Sequence, residues 1–460
     1  MTTVSDQFFD FIAGLTIDAI PPSVHAAAGQ HMLDVLGCTI AGAGIEDGKS
    51  VLDWYLSLGS GTYPVFGTNS LIGVGQAVAA NAVLSHLAEA DPVHAETVSC
   101  IAATTIPTVF TLARSQKISG ADAVVAIVAG YEVIARLGRY IGADRMFARG
   151  WWPTALLGGA GAVASAAHVL RLSPVQIRSA VSLSLLHASG LSAGGTDAPL
   201  SRNLLLGNMA RLGVEMALSA QRGIAGPREV LVGERTFPTA FAADPADTQA
   251  LTDGLGQRWA MLETNIKAHG CALQAQSALD ALLSLRQDTQ FSVADVESID
   301  VELPQTLKRV VDRPSQIKKR MDAMASLLFL FAEVLHHGGI ETASFDSERR
   351  DDPVLREFSQ RVSVRHAPEM DAAFPKSWPS QVKIMLKDGR ALAQHVDVPS
   401  GHPHRPLSQT ALEDKFDRLN QGQLSASRVD ELKSVLQNFA ACPDVGPLTR
   451  LVSEGLAHEP

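Results

Sequence analysis

The constraint that most limits this chain is a run of small residues at helical spacing. Leu157–Leu170 reads LGGAGAVASAAHVL. Side chains this small let a helix backbone approach its neighbours closely, so the segment belongs at the centre of a helical bundle. Its glycines do not form a dinucleotide fingerprint, because no strand precedes them. Apolar residues recur at three and four positions over 21–42, 70–90, 103–117, 120–142, 154–171, 174–189 and 206–223, with Gly, Pro or Ser-Pro at the junctions. These stretches are expected to be helices.

The period changes near residue 294. Ile299, Val301 and Leu303 alternate with polar residues, as do Val362 and Val364, and then Val382, Ile384 and Leu386. Lys387-Asp388-Gly389-Arg390 reads as a hairpin turn, and Met321–His337 as a helix between strands. The expected fold is mainly α with an α+β insertion. A helical domain begins at 1–269, an α+β domain with a small antiparallel sheet spans 270–400, and 401–460 returns as helices. The 460 residues are 46% hydrophobic, and 38 Lys+Arg against 48 Asp+Glu leave a net charge of −10. That composition excludes a disordered chain, and the acidic balance disfavours nucleic-acid or anionic-membrane partners. Four cysteines without CxxC spacing fit a reducing compartment. The opening MTTVSDQFFDFIAGL has no basic start, and Ala155–Leu170 is too short for a membrane span. A cytoplasmic protein is the expectation.

Several segments together resemble one family. They are Asp34-Val35-Leu36-Gly37-Cys38-Thr39-Ile40-Ala41-Gly42, then Gly130-Tyr131-Glu132-Val133 with Arg136-Leu137-Gly138. Gly207-Asn208-Met209-Ala210-Arg211-Leu212-Gly213 follows, then Gln221-Arg222-Gly223-Ile224-Ala225-Gly226-Pro227, Gly401-His402-Pro403 through Pro406-Leu407, and Lys415-Phe416. In this order they resemble the MmgE/PrpD family of 2-methylcitrate dehydratases, cis-aconitate decarboxylases and iminodisuccinate epimerases. The resemblance implies a large helical domain with a smaller α+β lid domain, a homodimer, a small carboxylate substrate, and no metal or organic cofactor.

Against the family's active-site pattern the chain departs. Asn81 and His86 are kept, but the acids that follow read Glu89-Ala90-Asp91-Pro92, and Cys100-Ile101 stands where a His-Pro is usual. Trp152 replaces a histidine ahead of Thr154, Arg202 a lysine, and Leu205 a histidine. Lys267 is retained, followed by His269 and Cys271, with Gln276 at another histidine position. The resemblance therefore points to Glu89, Asp91, His94, Lys267 and His269 as catalytic candidates. Arg202, Trp152, Thr154, Cys271 and Gln276 are the substrate-binding candidates. Glu89 and Asp91 read equally as solvated loop acids, His94 as a surface histidine, and Cys271 and Cys100 as buried small hydrophobes. His86 is expected to support the loop after it. Lys267 beside His269 is expected to favour the neutral imidazole. His336-His337 and His402-x-His404 lack acid partners at ligand spacing, so no metal site is expected. The chemistry implied is proton abstraction or donation next to a carboxylate. A dehydratase or decarboxylase leads, with an epimerase or racemase, or a non-catalytic binding protein, as alternatives.

Overall fold

The computed structural model describes residues 2–453 apart from 198, 243–244, 315–316 and 375. The chain divides into two compact units. The first comprises Met1–Leu87, Asp91–Thr264 and Leu412–Pro460, and the second Ala88–Ala90 with Asn265–Ala411. The second unit thus opens five residues before the expected 270 and runs past 400. It also takes in a three-residue piece that no change of periodicity marks.

The first unit is built on helices α1 (Pro22–Gly44), α2 (Val74–Leu87), α3 (Ile101–Leu112), α4 (Gly120–Ile141), α5 (Pro153–Val169), α6 (Pro174–Leu186) and α7 (Pro199–Gln221). Their starts follow elementary chemistry. Proline occupies the first turn of α1, α5 and α6, and Ser119 and Ser173 form reciprocal capping boxes for α4 and α6. The small-residue helix α5 lies buried along nearly its whole length, packed against α3, α4, α6 and α7. A Cβ on Gly130 of α4 would come within 2.9 Å of the Gly161 carbonyl, and one on Gly213 of α7 within 2.8 Å of the Gly159 carbonyl. Only hydrogen fits at these crossings. The glycines of α5 are therefore packing devices, as the sequence implies.

The family-like motifs hold this scaffold together. Asp34 of α1 pairs with Lys415 at 2.5 Å, and both are buried. A Cβ on Gly37 would strike the Phe416 ring at 2.7 Å. Glu132 and Arg136, one turn apart on α4, form a buried ion pair at 2.9 Å. Glu132 Oε1 accepts the Ala260 N–H at 2.8 Å, and Arg136 donates to the carbonyls of Asp253 at 2.7 Å and Arg258 at 3.3 Å. The pair therefore pins the 251–260 segment onto α4.

The second unit carries a four-stranded sheet of β1 (Val296–Leu303), β2 (Val362–His366), β3 (Ser380–Leu386) and β4 (Ala391–Val396), in the order β2-β1-β3-β4. The antiparallel expectation is corrected at one edge, because β1 and β2 run parallel, with Ile299 opposite Val362. Some sixty residues of helical crossover separate them, which is the connection that parallel pairing needs. The hairpin turn between β3 and β4 forms as expected, with Gly389 at φ +88. Helix α8 (Gln276–Asp288) packs on β3 and β4. The helix expected over 321–337 is broken: Arg320–Met324 ends before Ser326, whose hydroxyl caps α9 (Leu327–His337) by accepting the Phe329 N–H at 3.3 Å. Among the described residues no helix is long and apolar enough to cross a membrane.

Replacing Arg136 by Met would strand the Glu132 carboxylate in the interior. The expected loss is about 3–5 kcal/mol of unfolding free energy, with much of it recovered in the double variant Glu132→Gln/Arg136→Met. Denaturant titration of both variants checks this, and equal losses in the two would reject it.

Candidate functional site

The sequence-predicted residues form local groups, two in the first unit and one in the second. The first lies in the helical unit, at helix ends. His86 sits in the last turn of α2, and Asp91 follows in the loop that Pro92 keeps out of helix. Their side chains meet, with His86 Nδ1 and Asp91 Oδ1 2.9 Å apart and both residues buried. Cys100 is the N-cap residue of α3, and its backbone N–H donates to Thr154 Oγ1, in the first turn of α5, at 3.0 Å. Trp152 is the N-cap residue of α5. Its ring lies 5.9 Å from that of His86, and the Arg202 guanidinium, from the first turn of α7, lies 5.3 Å from the Trp152 ring centre. Asp91, Trp152, Thr154 and Arg202 are thus brought together with two residues given no catalytic or binding role from the sequence: His86, which supports the following loop through Asp91 as expected, and Cys100, which is buried as expected.

Burial and the neighbouring charges shift the titratable groups of this cluster. Burial pulls the His86 imidazole down, but the Asp91 carboxylate and Cys100 outweigh it and leave His86 above its ordinary value of 6.5. Burial brings Arg202 down to about 10, which leaves it a cation at neutral pH. Asp91 is buried, which corrects the reading of it as a solvated loop acid.

The second group lies in the α+β unit. Lys267 Nζ donates to the Glu89 carbonyl at 2.6 Å and to Glu89 Oε2 at 3.3 Å, and both residues are buried. Glu89 therefore is not solvated either. It stands at φ +50, a left-handed conformation rare for a residue with a side chain, and the Lys267 contact to its carbonyl helps hold it there. Gly401 supports the strand-like segment carrying Lys267. Its carbonyl accepts the Ile266 N–H at 2.9 Å, and at φ +85 a Cβ would strike the Ile266 carbonyl. His269 Nε2 lies 3.1 Å from Asp280 Oδ1. Gln276 clamps the His269 backbone, accepting its N–H at 3.0 Å and donating to its carbonyl at 2.9 Å. Its amide also donates to Cys271 Sγ at 3.3 Å. Burial pushes the Cys271 thiol up to about 12, which makes it inert.

His94 forms a third group. It is fully buried, bonded through Nδ1 to Thr97 Oγ1 at 2.8 Å, and 3.7 Å from Glu263. Burial lowers its pKa despite the carboxylate. Arg139 and Arg258 also pair with Glu263 and with Glu96. His94 closes the 94–99 turn, whose ends are bridged by backbone hydrogen bonds between His94 and Ser99. Its contacts are those of a turn residue and not of a surface histidine.

Two clusters of described residues place three metal-capable donor atoms within 4.8 Å of one another: His86, Asp91 and Cys100, and His94, Glu96 and Glu263. The arginines already neutralise the second. The first mixes imidazole, carboxylate and thiol, a donor set that suits a borderline cation such as zinc as well as it suits proton transfer.

Residues 6–249 match the MmgE/PrpD N-terminal domain and residues 269–440 the MmgE/PrpD C-terminal domain. Among curated relatives, the chain is 26% identical over 466 residues to a cis-aconitate decarboxylase of Mus musculus, covering 98% of this chain and 94% of the relative. A cis-aconitate decarboxylase of Homo sapiens is 27% identical over 348 residues, covering 74% and 71%. One of Aspergillus terreus is 22% identical over 477 residues, covering 98% and 96%.

The raised pKa of His86 has a stability consequence. Protonation of the folded imidazole is favoured over the unfolded one. The pair's contribution is therefore fully present below about pH 6.5 and is lost as the pH rises through the higher folded value. In Asp91→Asn that window should close and the His86 midpoint should fall. An imidazole NMR titration of both proteins measures it, and an unmoved midpoint would reject the pairing as its cause.

Proposed function

The chain belongs to the MmgE/PrpD family, and from that premise we propose that it is a lyase, a dehydratase or decarboxylase, of a small carboxylic acid. The observation that supports this reading is the group at the helix ends of the first unit. There Trp152 touches both a carboxylate-backed imidazole, His86, and a guanidinium, Arg202. In the proposed reaction Arg202 grips a substrate carboxylate, for which its planar fork is suited to bidentate binding. The developing negative charge on the adjacent carbon is stabilised by that cation, and His86 moves the proton. As an imidazolium held by Asp91 it donates, and as the neutral ring it accepts. In decarboxylation the bond to the leaving CO2 breaks and its electron pair stays on the carbon, which His86 then protonates. In dehydration the carbon proton leaves first and the hydroxyl departs as water.

Trp152 and Leu205 occupy positions where the family has histidines, so the polar surface offered to substrate is smaller here. On this reading the substrate is less highly charged than a tricarboxylate. The Lys267–Glu89 pair acts as a positioning element of the second unit, fixing the backbone of Glu89.

The test is thermal stabilisation by a panel of mono-, di- and tricarboxylates, followed by turnover in deuterated water. A ligand at about 100 times its Kd adds roughly 2.7 kcal/mol. A binding acid should yield an unsaturated or decarboxylated product. Arg202→Gln should cut the rate by about 10²–10³. Deuterium entering the ligand without loss of CO2 or water would replace the lyase by an epimerase. Wild-type rates in Arg202→Gln would remove Arg202 from the site.

A further inference from the structure

The proton transfer and the anion grip leave one reactive group of this region unused, the Cys100 thiol. Its Sγ, a ring nitrogen of His86 and a carboxylate oxygen of Asp91 all lie within 4.8 Å of one another. Thiol and imidazole are therefore close enough for a proton to pass between them once the groups adjust, and Cys100 is among the groups that hold the His86 imidazole above its ordinary value. Asp91 engages Nδ1 of the same ring at 2.9 Å, which fixes the ring's orientation and makes Nε2 the basic nitrogen of the neutral form. The Thr154 hydroxyl pins the Cys100 backbone, and the position is the N-cap of a twelve-residue helix. A nucleophile, a base within reach of it, and a third group orienting the base are the parts of a thiol nucleophile centre. The other thiols for which partners are seen lack this: Cys271 meets the Gln276 amide and the Ala272 carbonyl, and Cys442 the Asp444 carbonyl.

We propose that Cys100, His86 and Asp91 form a nucleophilic thiol centre that takes small electrophiles bearing a carboxylate. The thiol proton passes to His86, and sulfur attacks the electrophilic carbon. A sulfur–carbon bond forms as the bond to the leaving group breaks, and the leaving group departs with that electron pair. With a 2-haloacid the product is a thioether and a halide ion. The preference for a carboxylate rests on the Arg202 grip proposed above, whereas the thiol centre itself does not.

The probes are iodoacetate and iodoacetamide, used below stoichiometric amounts on the full-length protein at neutral pH, with labelled peptides mapped by mass spectrometry. Cys100 is expected to react about tenfold faster than Cys442, although Cys442 is the more exposed. It should prefer iodoacetate over iodoacetamide, and Cys442 should not. The lead of Cys100 should vanish in denatured protein and in His86→Asn. Should that variant fail to fold, the native-against-denatured ranking in the wild type still decides. Labelling of Cys442 first, or at an equal rate, overturns the centre. A Cys100 lead without preference for iodoacetate keeps the centre but overturns its carboxylate specificity, and with it the Arg202 grip. Stoichiometric bound zinc that blocks labelling overturns the nucleophile in favour of a metal ligand.

Discussion

The helical unit depends on how closely α5 can be approached. At Gly130–Gly161 and Gly213–Gly159, backbone meets backbone with no room for a methyl group. That contact fixes the axes of α4, α5 and α7, and through them the places where helices start and stop. The candidate chemistry sits at those ends: His86 in the last turn of α2, Cys100 and Trp152 at the N-caps of α3 and α5, and Arg202 in the first turn of α7. Side chains at the ends of rigidly packed helices keep their geometry better than side chains on free loops. A methyl group added to α5 would therefore disturb the site without touching it.

The residues that carry the family resemblance prove to be the residues that carry the packing. Asp34 meets Lys415 and Gly37 lies against Phe416, so the first motif and the last close on each other across the sequence. Glu132 and Arg136 hold a loop more than a hundred residues away, and Gly401 braces Ile266. Such positions tolerate few alternatives, because a glycine at a backbone crossing and a buried ion pair each lose several kcal/mol when broken. The scaffold can therefore stay legible while the chemistry drifts.

That difference explains how far the sequence could be read. Helix positions follow from a periodicity that burial enforces, and small residues at helical spacing imply close approach wherever they occur. Strand direction is not written in the same way, since alternation is identical for parallel and antiparallel neighbours, and β2 pairs parallel to β1. Ser326, which breaks the helix expected over 321–337, acts through its hydroxyl and leaves the apolar spacing undisturbed. The site was legible only in part. Arg202, Trp152, Thr154 and Asp91 stand at aligned positions, and those positions do come together. The His86–Asp91 pair spans a helix end, where neither the three-to-four spacing of a helix nor the alternation of a strand applies. A histidine five residues ahead of an acid, with a proline just after it, was the available signal.

Loss of the usual histidines need not mean loss of function, because what a proton-transfer site requires is a titrating group with an orienting partner, not a particular position. His86 has both a carboxylate and a burial that makes the carboxylate matter. In water such a pair would contribute little, whereas in the interior the same 2.9 Å contact holds the imidazole above its ordinary value against the pull of desolvation. A buried pair of this kind is costly in a merely structural core, where two apolar residues of similar volume would serve as well or better. It lies beside Trp152, whose ring also meets the Arg202 cation, so that in the proposed reaction a proton and a fixed positive charge are presented together from the ends of packed helices.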